Sequence, residues 1–374
     1  MKVLVTGAEG FIGKNLVVRL GELPSFEVIK AVRSDSKDIL RAKLANADAL
    51  IHLAGENRPK TPEGFNTGNV KLTDTLCELM FELDVKIPIL FSSSTQAILN
   101  NAYGQSKRSA EIRIESYSKA SVNTAVIYRL PGVFGKWCKP NYNSVVATYC
   151  NNIATGLPIR IDDPTYIINL VYIDDVIDSF IEWLKGPSLS GTSFKTIDPV
   201  YKISLGELAK QIQEFAKSRK SLVSERVGNG FLRALYSTYV TYLPRDKFEY
   251  PIPCHGDERG VFVEMLKTKD SGQFSFFTAH PGITRGGHYH HTKTEKFLVI
   301  KGNARFRFRH ILTDEVFSVD TSGKTPTIVE TIPGWSHDIT NNGDDELIVM
   351  LWANENFDLD KPDTIASILE NEKT

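Results

Sequence analysis

The chain has 374 residues, of which 41% are hydrophobic and 24% charged, and its formal net charge is −1. This composition is ordinary for a soluble globular protein, and the near-zero charge gives no electrostatic attraction to nucleic acid or to an acidic membrane. Four cysteines stand far apart, and no apolar run is long enough for a signal peptide or a membrane span. We therefore expect a cytoplasmic protein without disulfides or membrane insertion, long enough for two domains.

The first two thirds of the chain alternate short apolar runs with longer amphipathic stretches. The apolar runs predict buried parallel strands at 2–6, 27–32, 49–53, 87–91 and 124–128. Helical periodicity covers 13–22, 69–84, 103–119 and 205–219. This alternation predicts a Rossmann-type, doubly wound parallel sheet for a first domain at residues 1–243.

The sequence pattern changes from Pro244 onward. Turns rather than helices separate the predicted strands at 274–278, 295–300, 304–308, 315–319 and 346–352. We expect an antiparallel sandwich or barrel for a second domain at residues 244–374. The basic run at 217–226 is interpreted as a solvated helix end of the first domain.

The first strand runs directly into a glycine-rich turn. Gly7, Gly10 and Gly13 open the first helix, with Phe11 and Ile12 between them. Glycines allow a tight turn and a close approach to a pyrophosphate, which then lies at the helix N-terminus, where unpaired N–H groups favour negative charge. These five residues form a candidate dinucleotide-binding loop.

The end of the second strand discriminates between the two nicotinamide cofactors. NAD-binding proteins place a carboxylate there for the ribose 2′-hydroxyl, whereas an arginine suits the 2′-phosphate of NADP. Arg33 stands at this point, which favours NADPH. The alternative is that Arg33 is simply exposed and Asp35 or Asp38 takes the acidic role.

A second motif places Tyr103 four residues before Lys107, after a predicted strand that leads to Ser94. This spacing puts both side chains on one helix face, where the lysine ammonium would lower the tyrosine pKa. Such a tyrosine can exchange a proton with substrate, and Ser94 can hydrogen-bond the same substrate oxygen. In isolation the pair would be a solvated helix face, but the glycine loop favours a catalytic role.

The glycine loop, Asn69 and the trio of Ser94, Tyr103 and Lys107 resemble the extended short-chain dehydrogenase/reductases. The resemblance implies that Tyr103 and Lys107 also contact a nicotinamide cofactor and that the substrate is a nucleotide sugar. Sugar-nucleotide dehydratases of this family carry an Asp-Glu pair directly after the position of Ser94. Thr95 and Gln96 stand there instead, which favours hydride transfer to a ketone over elimination.

The second domain contains a pattern typical of metal sites. His288 and His290 alternate on a predicted strand, so both can reach one ion together with Glu295 and His337. Imidazoles with one carboxylate suit zinc, with nickel, manganese or iron as alternatives. A purely architectural metal site or a barrel without metal are the other interpretations. The spacing from Gly282 through these residues resembles the first cupin motif, and 333–341 approximates the second, which implies a jelly-roll barrel.

A further resemblance leaves the role of His288 open. The stretches 257–264 and 285–288 resemble the deoxythymidine-diphosphate-4-keto-6-deoxyhexose epimerases, metal-free cupins in which a histidine at this position is the base. We favour a metal ligand, because His290 and Glu295 complete a site that those epimerases lack. The nearby candidates for a proton shuttle are Tyr289, His291, Lys296 and Asp338.

The whole chain, including the stretch 357–364, resembles the bifunctional capsular polysaccharide synthesis enzyme F family. The resemblance implies a homodimer acting on UDP-2-acetamido-2,6-dideoxy-β-L-arabino-4-hexulose. The cupin would invert C3, and the reductase would reduce C4 with NADPH to UDP-2-acetamido-2,6-dideoxy-β-L-talose, toward UDP-N-acetyl-L-fucosamine for capsule or O-antigen. The alternatives are a single-function 4-ketoreductase with a structural or sugar-binding cupin, and a non-catalytic sensor of nucleotide sugars.

Overall fold

The structure, a computed structural model, describes residues 1–59, 61, 63–186, 191–360 and 362–369. Two compact units make up the chain: Met1–Gln213 with Arg233–Pro244, and Glu214–Leu232 with Arg245–Thr374. In the described part of the chain, none of the helices combines the length and the apolar character needed to cross a membrane. Residues 370–374 of the predicted second domain, and Lys361 within the stretch 357–364, lie outside the described residues.

The first unit contains a six-stranded parallel sheet and a smaller three-stranded sheet. Its strands are β1 (Lys2–Thr6), β2 (Glu27–Ala31), β3 (Ala49–His52), β4 (Ile89–Ser94), β5 (Thr124–Leu130), β6 (Gly132–Phe134), β7 (Ile167–Tyr172), β8 (Gly191–Lys195) and β9 (Tyr201–Ser204). The large sheet has the order β2-β1-β3-β4-β5-β8, and β6-β7-β9 form the small one. The predicted doubly wound parallel sheet is confirmed.

Helices connect these strands, and several of them begin at side chains that cap their free N–H groups. They are α1 (Phe11–Gly21), α2 (Lys37–Ala45), α3 (Glu63–Phe65), α4 (Leu72–Glu82), α5 (Ala102–Ser121), α6 (Val145–Thr155), α7 (Ile173–Lys185), α8 (Leu205–Ser221) and α9 (Gly230–Val240). Ser36 caps α2, Asn101 caps α5 and Ser144 caps α6. Leu4, Leu50, Phe91 and Ile127 of the sheet lie in one buried apolar cluster with residues of α4 and α5.

The strand order positions the candidate site. The chain leaves β1 for β2 on one side and returns to β3 on the other, so the direction of winding reverses between β1 and β3. Ligands of doubly wound sheets bind at the carboxyl ends of the strands beside such a reversal. The glycine loop follows β1 at this point.

Apart from the end of α8, the start of α9 and a 3-10 turn at Arg245–Lys247, the described secondary structure of the second unit is β. Its strands are β10 (Val223–Ser224), β11 (Cys254–Asp257), β12 (Gly260–Thr268), β13 (Gln273–Ala279), β14 (Thr284–Tyr289), β15 (Glu295–Lys301), β16 (Asn303–His310), β17 (Val316–Ser322), β18 (Ile328–Glu330), β19 (Trp335–Asn341), β20 (Leu347–Ala353) and β21 (Ile365–Ala366). One sheet has the order β10-β12-β13-β20-β15-β18, with β11 on β12, and the other has the order β17-β16-β19-β14-β21. The series β13-β20-β15-β18 and β14-β19-β16-β17 form an eight-stranded jelly roll, as predicted.

The core of the second unit lies between its two sheets. Phe277, Phe297 and Val349 of one sheet share a buried cluster with Phe306 and Ile339 of the other. Along β15, β16 and β20, buried side chains alternate with more exposed ones, as expected for strands that face a core on one side.

One segment departs from the predicted domain arrangement. Glu214–Leu232, expected in the first domain, belongs to the second unit. The reason is pairing, because Val223 and Ser224 form a parallel edge strand against Lys267 and Thr268 of β12. The basic run at 217–226 therefore is not only a solvated helix end: Arg226, for example, forms an ion pair with Asp270.

Candidate functional site

The glycine loop lies directly against the end of β3. Gly7 has a φ of 68°, and a Cβ there would lie 2.7 Å from the backbone N of Ala54. A Cβ on Gly13 would lie 2.1 Å from the carbonyl oxygen of Gly7. Only glycine fits at either position, and the helix that begins at Phe11 presents its free N–H groups at the same place. The loop therefore fits the pyrophosphate of a dinucleotide.

One cavity of about 740 Å³ is lined by all the predicted catalytic and cofactor-binding residues of the first unit except Arg33. The glycine loop forms part of its wall, and Ser94, Tyr103 and Lys107 form another part. Ser94 is the last residue of β4, whereas Tyr103 and Lys107 lie on the first turns of α5. The cavity can accommodate a cofactor and a reacting substrate side by side.

Burial dominates the electrostatics of the tyrosine and the lysine. Burial raises the pKa of Tyr103, while a hydrogen bond with Ser94 opposes this shift. Burial also lowers the pKa of Lys107 to about 8. The Lys107 ammonium donates to the carbonyl oxygen of Ser92 at 2.9 Å and lies 5.0 Å from the ring centroid of Phe91. The expectation that Lys107 lowers the pKa of Tyr103 is wrong for this structure, and the phenol is protonated at neutral pH.

Asn69 connects the loop after β3 to α5. It lies in a π-helical turn, Asn66–Lys71, where a continuous helix over 69–84 was predicted. Its side-chain amide accepts from the backbone N of Glu56 at 2.8 Å, and donates to the Glu56 carbonyl at 3.1 Å and to Ser106 Oγ at 2.9 Å. A Cβ on Gly55 would lie 3.1 Å from Lys107 Nζ, so this loop passes close to the lysine.

A buried histidine that the sequence analysis did not single out links these parts. The backbone N of Ala54 donates to Thr6 Oγ1, which lies 2.7 Å from Nδ1 of His52. Nε2 of His52 lies 3.0 Å from Thr73 Oγ1, and this hydroxyl donates to the carbonyl of Asn69. Because the Thr73 hydroxyl gives its only proton to Asn69, it must accept from Nε2 of His52, so Nε2 carries the proton and Thr6 donates to Nδ1. Burial lowers the pKa of His52 to about 3, which keeps this tautomer neutral.

Arg33 lies two residues beyond the end of β2. Its side chain is 90% exposed and 3.5 Å from Glu56, and it is not among the described residues that line the cavity. Asp35 accepts from the backbone N of Val32 at 2.9 Å and forms an ion pair with Lys43. Asp35 is therefore held by other partners, while the Arg33 guanidinium is accessible to a phosphate.

The second unit brings His288, His290, Glu295 and His337 together. One ligand atom from each of the four lies within 4.8 Å of the others. Glu295 Oε2 is 3.2 Å from Nε2 of His290 and 3.3 Å from Nε2 of His337, and the latter nitrogen is buried without a hydrogen bond of acceptable geometry. Three imidazoles and one carboxylate at these separations fit a divalent cation.

The strand that carries the first two histidines is less regular than predicted. A bulge between Gly286 and His288 interrupts the pairing of β14 with β19, and β14 ends at Tyr289, one residue before His290. The bulge re-aims His288, whose backbone pairs with that of His337. A β-bulge and a strand end therefore replace the simple alternation expected from the sequence.

Electrostatics keep this group in a form that can bind a metal. Burial alone would raise the pKa of Glu295, but the neighbouring His290 and His337 side chains and the charge of Lys293 hold it well below its usual range. Burial lowers the pKa of His288 to about 4, assisted by the neighbouring His337. A metal ion binds carboxylate and neutral imidazole, which are the forms of Glu295 and His288 at neutral pH.

A cavity of about 260 Å³ is lined by three of the four residues, His288, Glu295 and His337. Of the described residues, its wall includes none of the predicted shuttle candidates Tyr289, His291, Lys296 and Asp338. Lys296 is ion paired with Glu330, and Asp338 with Arg307. The polar residues on the wall, apart from the candidate ligands, are Glu264, Gln273, Arg285, Lys293 and Thr364.

Some of the residues that line this cavity lie in stretches that the sequence analysis singled out. Glu264 and Arg285 lie in the two stretches that resemble the keto-sugar epimerases, and Lys293 lies inside the first cupin motif. The motif spacing identified candidate ligands, but it could not indicate which neighbouring side chains face the cavity, because the bulge in β14 changes the alternation.

Comparisons with known proteins cover the whole chain. Residues 3–192 match the NAD dependent epimerase/dehydratase family, and residues 255–365 match the polysaccharide biosynthesis C-terminal domain. The chain is 54% identical over 366 residues to UDP-2-acetamido-2,6-beta-L-arabino-hexul-4-ose reductase of Pseudomonas aeruginosa, with 98% of each chain covered.

Solved structures agree with these matches. The capsular polysaccharide assembling protein CapF from Staphylococcus aureus superimposes with a TM-score of 0.91 at 39% identity, over 99% of this chain and 100% of that one. UDP-glucuronic acid 4-epimerase from Bacillus cereus gives a TM-score of 0.51 at 21% identity, over 58% of this chain and 84% of that one. The second likeness is one of fold alone.

Proposed function

The chain belongs to the capsular polysaccharide synthesis enzyme F family, and from that premise we propose that it reduces the C4 ketone of a UDP-linked 2-acetamido-2,6-dideoxyhexulose. The observation that carries the proposal is the meeting of the glycine loop with Ser94, Tyr103 and Lys107 in one cavity. The name of the Pseudomonas aeruginosa relative supports both the UDP-linked sugar and the ketone at C4.

Each residue of the site would have a separate role in ketone reduction. When bound, the nicotinamide supplies the hydride. Ser94 and Tyr103 hold the substrate oxygen, and Tyr103, whose raised pKa keeps it protonated, donates the proton. Lys107, which lines the same cavity, would contact the bound cofactor. Thr95 and Gln96 offer no carboxylate for elimination, which favours simple reduction.

We favour NADPH as the reductant. The Arg33 side chain is exposed to solvent. The carboxylate of the nearby Asp35 is already bound by Lys43 and by the backbone N–H of Val32. A guanidinium at this point of the fold suits the 2′-phosphate of NADP.

We further propose that the second unit inverts C3 of the same keto sugar before C4 is reduced. His288, His290, Glu295 and His337 would hold a divalent cation, with zinc as the first choice. Such an ion would acidify the C3 hydrogen by polarising the ketone. The adjoining cavity of about 260 Å³ gives the sugar ring a place beside these residues. The substrate would be UDP-2-acetamido-2,6-dideoxy-β-L-arabino-4-hexulose and the final product UDP-2-acetamido-2,6-dideoxy-β-L-talose, toward UDP-N-acetyl-L-fucosamine.

One experiment tests both proposals. The zinc-loaded protein is incubated with the keto sugar in D2O without NADPH, the C3 proton is followed by NMR, and NADPH is then added. We expect loss of the C3 signal first and NADPH oxidation afterwards. A C3 signal that persists while NADPH is oxidised would leave a single-function 4-ketoreductase with a structural second unit. A lack of NADPH oxidation would contradict the reductase itself.

We also propose that the protein is a homodimer, formed through the outer face of the sheet that contains β13, β20, β15 and β18. Phe276, Met350, Leu298 and Ile328 occupy one row across these four strands, on the side away from the core. Ile328 is exposed, and the other three are partly exposed. A contiguous apolar row of this kind is typical of a protein interface. Sedimentation analysis of wild type and of Leu298→Glu tests it, and a monomeric wild type would contradict it.

A cytoplasmic location is proposed from the cysteines. All four, Cys77, Cys138, Cys150 and Cys254, are free thiols in the structure. Burial raises the pKa of Cys77 to about 12, and it raises that of Cys150 further. Buried, unpaired thiols fit a reducing compartment.

A further inference from the structure

Asp363, in the stretch 357–364, has no role in the two activities proposed above. In the structure, the described residues 362–369 run along the candidate metal ligands. Thr364 reaches the wall of the 260 Å³ cavity, and Ile365 and Ala366 form β21 beside β14. The contacts of this segment concentrate on the residues that surround the metal group.

The first contact fixes one ligand ring. The backbone carbonyl of Asp363 accepts a hydrogen bond from Nδ1 of His290. A carbonyl can only accept, so Nδ1 carries the proton and Nε2 is left to bind an ion. Outer hydrogen bonds of this kind orient ligand imidazoles and set their tautomer.

The second contact fixes the turn between two ligands. The carboxylate of Asp363 accepts from the backbone N of His291, Thr292 and Lys293 at 2.9, 2.7 and 2.9 Å, and from the Thr292 hydroxyl at 3.0 Å. This turn joins His290 to the start of β15, where Glu295 lies. A single carboxylate therefore gathers all three N–H groups of the turn, as an anion does in a backbone nest.

The remaining contacts reach the other two ligands through their neighbours. Ala366 pairs with His288 in β21 and β14, and the backbone N of Ser367 donates to Gly287 at 2.8 Å. Ser336, which precedes His337, donates its hydroxyl to the carbonyl of Ser367. The segment thus touches each of the three strands or turns that carry the histidines.

We propose that Asp363 is a positioning residue for a metal ion held by His288, His290, Glu295 and His337, a site that rests on the proposed function. Its carbonyl orients His290, and its carboxylate holds the turn that sets the separation of His290 from Glu295. The segment 362–369 is then the outer support of the metal centre. The affinity for the ion depends on a residue that is not itself a ligand.

The test is the zinc affinity of the full-length protein, measured by competition with a chromophoric chelator. The variants are Asp363→Asn, which keeps the shape of the side chain, and Asp363→Ala. Asp360→Asn is the matched control, because the Asp360 side chain makes none of these bonds. We expect zinc affinity to fall about tenfold to 100-fold in both Asp363 variants. The control should keep wild-type affinity.

A second readout separates positioning from general stability. Cobalt replaces zinc, and its visible spectrum at saturation reports the ligand geometry, which we expect to change in Asp363→Asn. NADPH affinity in the first unit should stay unchanged and verifies that the variant is folded. Wild-type zinc affinity and an unchanged cobalt spectrum in Asp363→Asn would overturn the inference, even if Asp363→Ala failed to fold.

The inference and the proposed function fail in different ways. A wild-type protein that binds no zinc would refute the metal centre and Asp363's role together. Zinc binding that weakens in the Asp363 variants, without any exchange of the C3 proton in wild type, would uphold the positioning role and refute the epimerase.

Discussion

Nδ1 of His52 lies 2.7 Å from Oγ1 of Thr6, in the strand before the glycine loop. Nε2 of the same ring contacts Thr73, whose hydroxyl donates to the carbonyl of Asn69, so His52 connects this strand with the turn that contains Asn69. His52→Leu removes both ring nitrogens and leaves the hydroxyls of Thr6 and Thr73 without their buried partner. We expect a loss of about 1–3 kcal/mol in the free energy of unfolding. Urea unfolding of wild type and variant measures it.

The exposed His255 supplies the control for that substitution. His255→Leu should change the free energy of unfolding by less than about 0.5 kcal/mol, because surface substitutions have little effect. Equal losses in the two variants would contradict the hydrogen-bonded role of His52.

Tyr103→Phe removes the proposed proton donor and keeps the ring. We expect the rate of ketone reduction to fall about 100-fold to 10,000-fold, since a positioned general acid contributes about that much. Exchange of the C3 proton should stay intact, because it depends on the second unit. NADPH oxidation and NMR exchange, measured on the same sample, give the two rates.

Tyr117→Phe is the matched control, because its hydroxyl donates to the Val85 carbonyl away from the cavity. It should reduce the ketone at the wild-type rate. Loss of both reactions in Tyr103→Phe would refute the separation of the two sites.

Lys107 makes stability depend on pH in a defined direction. Its pKa falls from the ordinary value of 10.5 to about 8 on folding, so between these values the unfolded chain binds the proton that the folded chain has lost. Below about pH 8, burial of the ammonium therefore lowers the free energy of unfolding by its full amount. This reduction disappears as the pH rises toward 10.5. We expect wild type to gain up to about 1.4 kcal/mol per pH unit relative to Lys107→Met in this window.

Urea unfolding of both proteins from pH 7 to pH 10 checks this slope, and other titrating groups cancel in the difference. A difference that is constant with pH would contradict the depressed pKa of Lys107.

Removal of the metal should separate the two activities. Dialysis against a chelator is expected to abolish C3 exchange and to leave NADPH-dependent reduction in place. Zinc at 100 times its dissociation constant should then stabilise the protein by about 2.7 kcal/mol. Thermal unfolding with and without zinc measures this gain.

Zinc is expected not to stabilise Glu295→Gln. The control is Glu330→Gln, which removes an exposed ion pair with Lys296 and should be stabilised by zinc as much as wild type. A gain of the same size in Glu295→Gln would remove that carboxylate from the ligand set.

Arg33→Ala tests the choice of cofactor. A charge-assisted hydrogen bond contributes about 1.5–3 kcal/mol, so we expect kcat/KM for NADPH to fall about tenfold to 150-fold. The value for NADH should not change. Arg41→Ala, which breaks an ion pair with Glu82, is the control. An equal loss with both cofactors would argue against a contact between Arg33 and the 2′-phosphate.

The sequence predicted those features that local patterns determine. Apolar runs located β1 to β5, and the spacing of His288, His290 and Glu295 marked one group of side chains, because strand alternation and motif spacing act over a few residues. The prediction placed the fourth strand at 87–91, whereas β4 is Ile89–Ser94, so that Ser94 ends the strand itself.

Long-range pairing accounts for what was missed. Val223 and Ser224 become a strand only because Lys267 and Thr268 offer an open edge, and a two-residue strand has no periodicity to detect. The π-helical turn at Asn69 depends on bonds to Glu56 and Ser106, and the pKa of Tyr103 depends on burial. None of these partners can be read from the residues next to them in the chain.

The assignment of Glu214–Leu232 to the second unit matters for any attempt to express the two units separately. A gene fragment that starts at residue 245 would lack β10, and one that stops at Gln213 would lack the end of α8 and all of α9. A single cut at the apparent junction assigns β10 to the wrong half. Separate expression of either unit therefore requires a redesigned chain that keeps Glu214–Leu232 with the second unit and Arg233–Pro244 with the first.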